Sequence, residues 1–170
     1  TILAELMRIQ DHLLNVGTCA LDLGAFTAFL YFFTQRERIY DICELASGQR
    51  FHSSYTRVGG VMADVTLEWV NKVREFIKGF HRAHADVTRL LNRNRIFIER
   101  TVGIGVLSKE LAINLSCTGP IARASGVVRD LRKDEPYLAY NDFDFKVTCS
   151  AAGDCYARYK VRMVEFRESI

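Results

Sequence analysis

An aspartate lies inside the most apolar stretch of the chain, and its chemistry calls for an explanation. The stretch runs from Cys19 to Phe33, and Asp22 is its one acidic residue. A carboxylate that loses its water in such surroundings is destabilised unless a cation, a proton or hydrogen-bond donors compensate for it. No lysine or arginine lies within ten residues of Asp22. The sequence therefore predicts that Asp22 has a partner from a distant part of the fold, from another chain or from a ligand.

Two further residues share a helix face with this aspartate. Leu14, Thr18 and Asp22 are spaced four apart, so on a helix they form one stripe. An apolar body, a hydroxyl and a carboxylate in line suit the wall of a pocket for an amphipathic ring. Plainer interpretations stay open. Leu14 could belong to the core, Thr18 could bond to its own helix, and Asp22 could form a structural ion pair or a helix-end hydrogen bond.

His52 is the second candidate for chemistry, either as a half-buried structural histidine or as a titrating group. His81 and His84 fall three apart, a spacing that could ligate a metal, but we find no carboxylate or cysteine that completes such a set. We expect both to be solvated or structural. The five cysteines include no CxxC pair, which argues against a disulfide framework and against metal binding, and for a reducing compartment. The sequence predicts no metal site.

The segment Arg123–Lys133 is basic and holds one glycine. A phosphate-binding loop needs several glycines that lead into a helix N-terminus, so we do not expect one here. We predict internal pairing of Asp130 with Arg132 or Arg129, together with a subunit contact.

Helical periodicity dominates the elements that position these residues. The pattern predicts helices over residues 1–23, from Thr27 to about Ala46, from Thr66 to Leu91 and over 154–170. Residues 50–61, around the Gly59-Gly60 turn, indicate a loop or a short extended piece. Residues 95–152 hold four glycines and both prolines of the chain and indicate an irregular segment with one strand at Phe143–Val147. The predicted fold class is mainly α with a small β part.

We interpret the 170 residues as part of one larger domain. Its segments are a helical bundle over 1–94 that carries the stripe, an irregular, β-containing segment over 95–152, and an amphipathic helix over 153–170. The net charge of +3 is interspersed, which argues against a nucleic-acid interface. The apolar run Ala20–Phe33 is shorter than a membrane span. Thr1 and the uncapped ends indicate a piece of a longer protein, so we expect the isolated chain to aggregate or associate.

Many segments of the chain, in their order, resemble one family across essentially all 170 residues. They are similar to the NuoD/NdhH-type catalytic-core subunit of respiratory complex I, the NADH:quinone oxidoreductase, a relative of the nickel–iron hydrogenase large subunit. Two departures are Ala28, where the family usually has proline, and Leu14, where methionine is frequent. The segments that carry the resemblance are His12, Ala20–Thr27, Arg36–Arg38, Gly48–His52, Tyr55–Val61, Arg123–Gly126, Asp130–Lys133 and Gly153–Arg158.

The resemblance implies a proton-pumping enzyme in which this subunit binds no cofactor of its own. A neighbouring subunit carries the terminal [4Fe-4S] cluster, and the substrate quinone sits between the two. Asp22 matches the aspartate that hydrogen-bonds a quinone-binding histidine outside this chain, and His52 matches the histidine beside the cluster. These two residues are the implied catalytic ones, and Leu14, Thr18 and Asp22 are the candidates for quinone binding. The fold implied is the helical bundle core of the hydrogenase large subunit, incomplete in this chain.

The same resemblance implies partners and a location. The partners are the cluster-bearing neighbour, other complex I subunits and the remaining parts of the same subunit, and the chain is not active alone. The complex is peripheral to the mitochondrial inner membrane on its matrix side, or to the cytoplasmic face of a bacterial membrane. Other functions stay open: a large-subunit fragment of a related membrane-bound hydrogenase, a ferredoxin:plastoquinone complex, or a non-catalytic helical interaction module.

Overall fold

The computed structural model describes all 170 residues and is mainly helical, with one two-stranded sheet. The predicted fold class is therefore confirmed. The helices are α1 (Ile2–Asp22), α2 (Phe26–Ser47), α3 (Leu67–Asn92), α4 (Arg95–Glu99), α5 (Lys109–Asn114), α6 (Gly119–Ala124), α7 (Leu131–Asp134) and α8 (Cys155–Ser169), with a 3₁₀ turn over Tyr140–Asp142. The strands are β1 (Thr56–Arg57) and β2 (Gly60–Val61), which pair antiparallel.

The chain forms two compact units, and each has its own core. One unit consists of Leu13–Arg89, and the other combines Thr1–His12 with Leu90–Ile170. We call them the middle unit and the terminal unit. The predicted boundaries of the segments 1–94, 95–152 and 153–170 stay a prediction.

The core of the middle unit is built from one face each of α1, α2 and α3. Its bulkiest fully buried side chains are Phe32, Ile39 and Phe80. One hydrogen bond fixes the packing of α2 against α3: the indole Nε1 of Trp69 donates to the carbonyl of Ile42 over 3.1 Å. Gly17 of α1 lies beside the ring of Phe33, and a Cβ on Gly17 would lie 3.6 Å from that ring, an ordinary van der Waals contact. Helix α1 therefore lies against the aromatic face of α2.

Local signals explain where these helices begin and end. Gly48 ends α2 with a φ of +71°, a conformation that glycine adopts at little cost. The side chain of Thr66 accepts a hydrogen bond from the amide of Trp69 and caps α3. The predicted start of the second helix at Thr27 is one residue late, because α2 begins at Phe26, and α2 has no side-chain cap.

The terminal unit packs α8 against α6, around Ala124, Ala157 and Val161. Asp154 caps α8 by accepting from the amide of Ala157, and its second oxygen accepts from the amide of Gly103. The predicted strand at Phe143–Val147 is absent, and Phe143 is exposed whereas Phe145 is buried, although in a strand these two residues would share one face. The amide of Lys146 donates to the Glu168 carboxylate instead of to a neighbouring strand, so no ladder forms.

Candidate functional site

The predicted stripe lies on one continuous helix. Leu14, Thr18 and Asp22 all belong to α1, and because residues four apart share a helix face, they line one side of it. Leu14 and Thr18 are half-buried, and Asp22 is exposed. The Thr18 hydroxyl donates to the carbonyl of Leu14 over 2.8 Å. Its oxygen can still accept a hydrogen bond, because a hydroxyl has two lone pairs and one proton.

Asp22 is the last residue of α1, and its carboxylate makes no hydrogen bond or ion pair with this chain. The side chain is exposed although it belongs to the most apolar stretch of the sequence, because α1 ends here. The position is still unfavourable for a negative charge, since the C-terminal end of a helix carries the negative end of its dipole. Nothing in the chain compensates for this charge, so the carboxylate is free to receive a donor or a cation.

His52 lies in the loop that follows α2, where its ring is exposed. Its φ of +54° is uncommon for a residue other than glycine. Its ring stands edge-on to that of Phe51, with centroids 4.1 Å apart. The ring of Phe51 in turn lies 5.9 Å from the guanidinium carbon of Arg36, in the middle of α2. The loop therefore folds back along α2.

These contacts extend into a continuous series of aromatic rings and one guanidinium group along α2, which we call the α2 row. Its first members stack in succession, with centroids 6.1 Å apart for Phe26 and Phe29 and 4.0 Å apart for Phe29 and Phe33. Both ends of the row are exposed, and its centre is buried. The members of the α2 row are Phe26, Phe29, Phe33, Arg36, Tyr40, Phe51 and His52.

The row also separates the two predicted site residues. Asp22 precedes Phe26, at the start of α2, whereas His52 is held beside Phe51 at the level of Arg36. Ten residues of helix lie between Phe26 and Arg36, which is about 15 Å at 1.5 Å per residue. Asp22 and His52 therefore mark two places in the middle unit and do not share one pocket.

A third cluster, in the terminal unit, consists of buried charged groups that were not predicted from the sequence as one cluster. His12 Nε2 lies 2.7 Å from Glu165 Oε2, and the other Glu165 oxygen accepts from the Nε of Arg123 over 2.7 Å. Asp130 lies 3.9 Å from Arg123. Its carboxylate accepts hydrogen bonds from the Nε and from a terminal amino group of Arg132. We call the whole set the buried charge network. Its members are Glu5, His12, Arg123, Asp130, Arg132, Tyr140 and Glu165.

The network returns to the helix on which it begins. Arg132 reaches both Glu5 oxygens over 3.2 Å, and the Tyr140 hydroxyl donates to the same carboxylate. Glu5 and His12 are two turns apart on α1, so the network ties one face of that helix to the last third of the chain. The predicted pairing of Asp130 with Arg132 is confirmed. Arg129 pairs with Glu135 instead.

The carboxyl groups of the network remain ionised although they are buried. Burial raises the pKa of Glu165, but the hydrogen bond from His12 and the charge of Arg123 outweigh it and hold that pKa below its usual range. Burial also raises the pKa of Asp130, but the hydrogen bonds from Arg132 outweigh burial and lower that pKa overall. Burial and the hydrogen bond to Glu5 raise the pKa of Tyr140, which therefore stays protonated.

One signal in the sequence hinted at this network. The short spacing of Asp130 and Arg132 predicts their pairing, but His12 and Glu165 are 153 residues apart and no local pattern joins them. Of the remaining histidines, His81 is exposed and His84 is buried. No three histidine, cysteine or acidic side chains converge as metal ligands would.

A membrane-spanning segment would need a longer apolar run than any of these helices provides, and none of them qualifies.

Comparisons with known proteins bear on the whole chain. A family model described as the 49 kDa subunit of respiratory-chain NADH dehydrogenase matches residues 22–170. The D-type NADH-quinone oxidoreductase subunit of Chloroherpeton thalassium is 49% identical over 170 residues, which are 100% of this chain and 39% of that protein. Its counterpart in Ehrlichia ruminantium (strain Gardel) is 48% identical, with coverages of 99% and 43%. A counterpart in Rhizobium etli is 49% identical, with coverages of 99% and 42%. The chain thus spans about two fifths of the length of these relatives.

Proposed function

Because the chain belongs to the family of the 49 kDa subunit of respiratory-chain NADH dehydrogenase, we propose that it forms part of a quinone-reduction site. The whole enzyme is an NADH-quinone oxidoreductase, the activity that the names of the relatives state. Those names favour it over a hydrogenase and over a passive helical module. The enzyme consists of several subunits, lies at a membrane without a span contributed by this chain, and works only when assembled.

The observation that carries the proposal is the free carboxylate of Asp22. It ends the stripe of Leu14 and Thr18, it has no partner in this chain, and it sits at the negative end of a helix dipole. Such a carboxylate attracts a histidine, fixes its tautomer and favours its protonated form. A protonated histidine next to a quinone oxygen supplies the proton that the reduced oxygen needs. Leu14 then contributes an apolar contact to the quinone ring, and the free lone pair of Thr18 can accept a hydrogen bond from a hydroxyl of the reduced quinol.

The second part of the proposal concerns His52. Its exposed ring, held at the level of Arg36, would face the neighbouring subunit that carries the terminal [4Fe-4S] cluster. In that position His52 would take up a proton when the cluster is reduced. When present, such a cluster would supply the one-electron chemistry, and this chain would supply the side chain that holds the proton. Asp22 and His52 thus serve different steps, in keeping with their separation along α2.

Substitution of Asp22 by asparagine tests the first part. Asp22→Asn keeps the shape and removes the charge, so quinone reduction by the assembled complex should fall by about tenfold or more, equivalent to about 1.4 kcal/mol per factor of ten. Reduction of the iron–sulfur clusters by the electron donor should proceed as before. Asp64→Asn is the matched control, because Asp64 is an exposed aspartate of the same unit. Quinone reduction at the parental rate in the Asp22→Asn complex would show that Asp22 has no part in the reaction.

A further inference from the structure

Arg36, at the centre of the α2 row, is a buried cation without an anionic partner. The residue is 9% exposed, and its Nε is buried without a hydrogen-bond acceptor. Its two terminal amino groups make no hydrogen bond or ion pair with the chain either, and they are not fully buried, so they stay accessible to a partner. Most buried arginines are paired, because the loss of hydration around an unpaired charge costs several kcal/mol. Arg36 therefore differs from Arg123 and Arg132, which are more deeply buried and form ion pairs.

Three aromatic rings hold this guanidinium in place. Its central carbon lies 5.4 Å from the ring centroid of Phe33, 5.3 Å from that of Tyr40 and 5.9 Å from that of Phe51. We call this arrangement the Arg36 box. Cation–π contacts contribute about 0.5–2 kcal/mol each, which offsets part of the desolvation, but rings accept no N–H bonds. The box thus fixes the orientation of the side chain and leaves its hydrogen-bond donors unused.

The nearby acidic groups are engaged elsewhere. Arg50 binds Glu37 over 2.6 Å and Asp41 over 3.4 Å, and its guanidinium covers the ring of Tyr40 at 5.1 Å. Gln35, the polar neighbour of Arg36 along the chain, faces Arg38. The chain therefore supplies no anion to Arg36.

We propose that the Arg36 box receives a carboxylate from an acidic side chain of a neighbouring subunit. The proposal rests on the proposed function in one respect, that the chain works inside a multisubunit complex. A planar carboxylate matches the fork of a guanidinium, which can bind both of its oxygens. A phosphate or a lipid headgroup with two charges would meet the carboxylates of Glu37 and Asp41 on the same helix, and these disfavour it.

The surroundings of the box fit an interface with a protein. Phe51 forms one wall and is 50% exposed, and the exposed ring of His52 continues that wall. Aromatic residues and arginine are enriched at the centres of protein interfaces, where a buried arginine contributes strongly when it is paired. The partner that covers Phe51 therefore brings its acidic side chain to Arg36 and shields the pair from water.

Cross-linking from the wall of the box identifies the partner. A photoreactive phenylalanine analogue in place of Phe51, in the full complex, should form a cross-link to a segment of another subunit that contains aspartate or glutamate. The same analogue in place of Phe143, which is 54% exposed in the terminal unit, should not label that segment. Cross-links from position 51 that reach only lipid, only this subunit or a segment without an acidic residue would overturn the proposal.

Paired substitutions then test the contact itself. Arg36→Met, or conversion of the cross-linked acid to its amide, should weaken retention of this subunit in the complex by about tenfold or more in dissociation constant. The double variant should lose no more than either single variant, because both remove the same contact. Arg38→Met, an exposed arginine of the same helix, should have no effect. Additive losses, or unchanged retention in Arg36→Met, would overturn the proposal.

Two measurements separate this proposal from the proposed function. Quinone reduction per assembled complex should be unchanged in Arg36→Met, because the box lies outside the Asp22 stripe. The unfolding temperature of the subunit before assembly should not fall, since the variant removes an unpaired buried charge. A large fall in that temperature would mean that Arg36 stabilises the subunit itself, and the docking role would be wrong. Quinone reduction at the parental rate in the Asp22→Asn complex would overturn the proposed role of Asp22 and leave the docking result unaffected.

Discussion

Asp22 and Thr18 show how two residues of one helix face differ in what they can still offer. Thr18 has donated its proton within α1, so it can act on a ligand only as an acceptor. Asp22 has every lone pair unused and a charge that the helix end disfavours. A ligand that donates to both would therefore be held more strongly by Asp22. The capacity of the stripe to bind a hydrogen-bond donor or a cation is therefore greatest at Asp22, where α1 ends.

The role of His52 can be tested at the same scale through the partner's cluster. A reduced cluster carries one more negative charge and favours the protonated imidazole of His52. The midpoint potential of the cluster should therefore fall as pH rises through the range in which the histidine loses its proton. Full coupling of one proton to one electron gives about 59 mV per pH unit. In His52→Met this slope should flatten while the cluster stays assembled. A redox titration of the terminal cluster at several pH values measures it, and an unchanged slope would assign His52 a structural role.

At the scale of the element, the four long helices could be predicted from the sequence to within one residue at each end. Apolar periodicity and caps at Gly48, Thr66 and Asp154 carry that information locally. The predicted strand at 143–147 was wrong: Phe143 and Phe145 would share one face of a strand, but only Phe145 is buried. Phe145 is buried by packing against Arg132 and not in a sheet. The guanidinium carbon of Arg132 lies 4.3 Å from the ring centroid of Phe145.

The candidate site could be predicted only in part, and distance along the chain is the reason. The stripe on α1 follows from local spacing alone. The α2 row needs the loop of Phe51 to fold back along the helix, and the buried charge network needs His12 to meet Glu165 across 153 residues. Such contacts depend on tertiary packing, which no periodicity in a single sequence encodes. The unpaired state of Arg36 was equally hidden, because Glu37 stands next to it in sequence but binds Arg50.

Substitution of two glycines by alanine distinguishes the cost of a left-handed backbone conformation from the cost of a steric clash. Gly48 and Gly153 both have left-handed φ angles, +71° and +66°, but a Cβ on Gly48 would meet nothing, whereas one on Gly153 would lie 2.2 Å from the carbonyl oxygen of Leu107. Gly48→Ala should cost about 1–2 kcal/mol of unfolding free energy, the cost of the left-handed conformation alone. Gly153→Ala should cost about 1–3 kcal/mol more through overpacking. Denaturant unfolding of both variants measures the difference, and equal losses would contradict this interpretation.

At the scale of the whole molecule, the buried charge network joins the first twelve residues to the last third of the chain. Glu165→Gln leaves Arg123 with a weaker partner in a buried site, so the free energy of unfolding should fall by about 3–5 kcal/mol. Glu99→Gln is the control. The pair of Glu99 with Arg95 has the same 2.7 Å separation as that of Glu165 with Arg123, but it is exposed. Its loss should cost less than about 1 kcal/mol. Similar losses from both would show that burial does not strengthen the network.

The same network makes the folded chain less stable at low pH. The pKa values of Glu5, Asp130 and Glu165 are lowered in the folded chain, so their contribution to stability is fully present above the ordinary carboxyl pKa of about 4. It is lost as the pH falls through the lowered values. We expect unfolding midpoints in urea that are flat above about pH 5 and drop steeply below about pH 4. Glu165→Gln should reduce that drop, and a drop of equal size in the variant would contradict the assignment.

The α2 row bears on how changes of charge at Asp22 and His52 affect each other. Phe26, four residues after Asp22, and Arg36, at the level of His52, lie about 15 Å apart along α2. Mobile ions screen charges over about 8 Å at physiological ionic strength. A change of charge at one position is therefore barely felt at the other through the solvent. The energetic effects of Asp22→Asn and His52→Met should then be independent, so that the double variant shows the product of the two single-variant rate factors. In the proposed enzyme, the side chain that responds to the cluster and the side chain that supports proton delivery would act without electrostatic influence on each other.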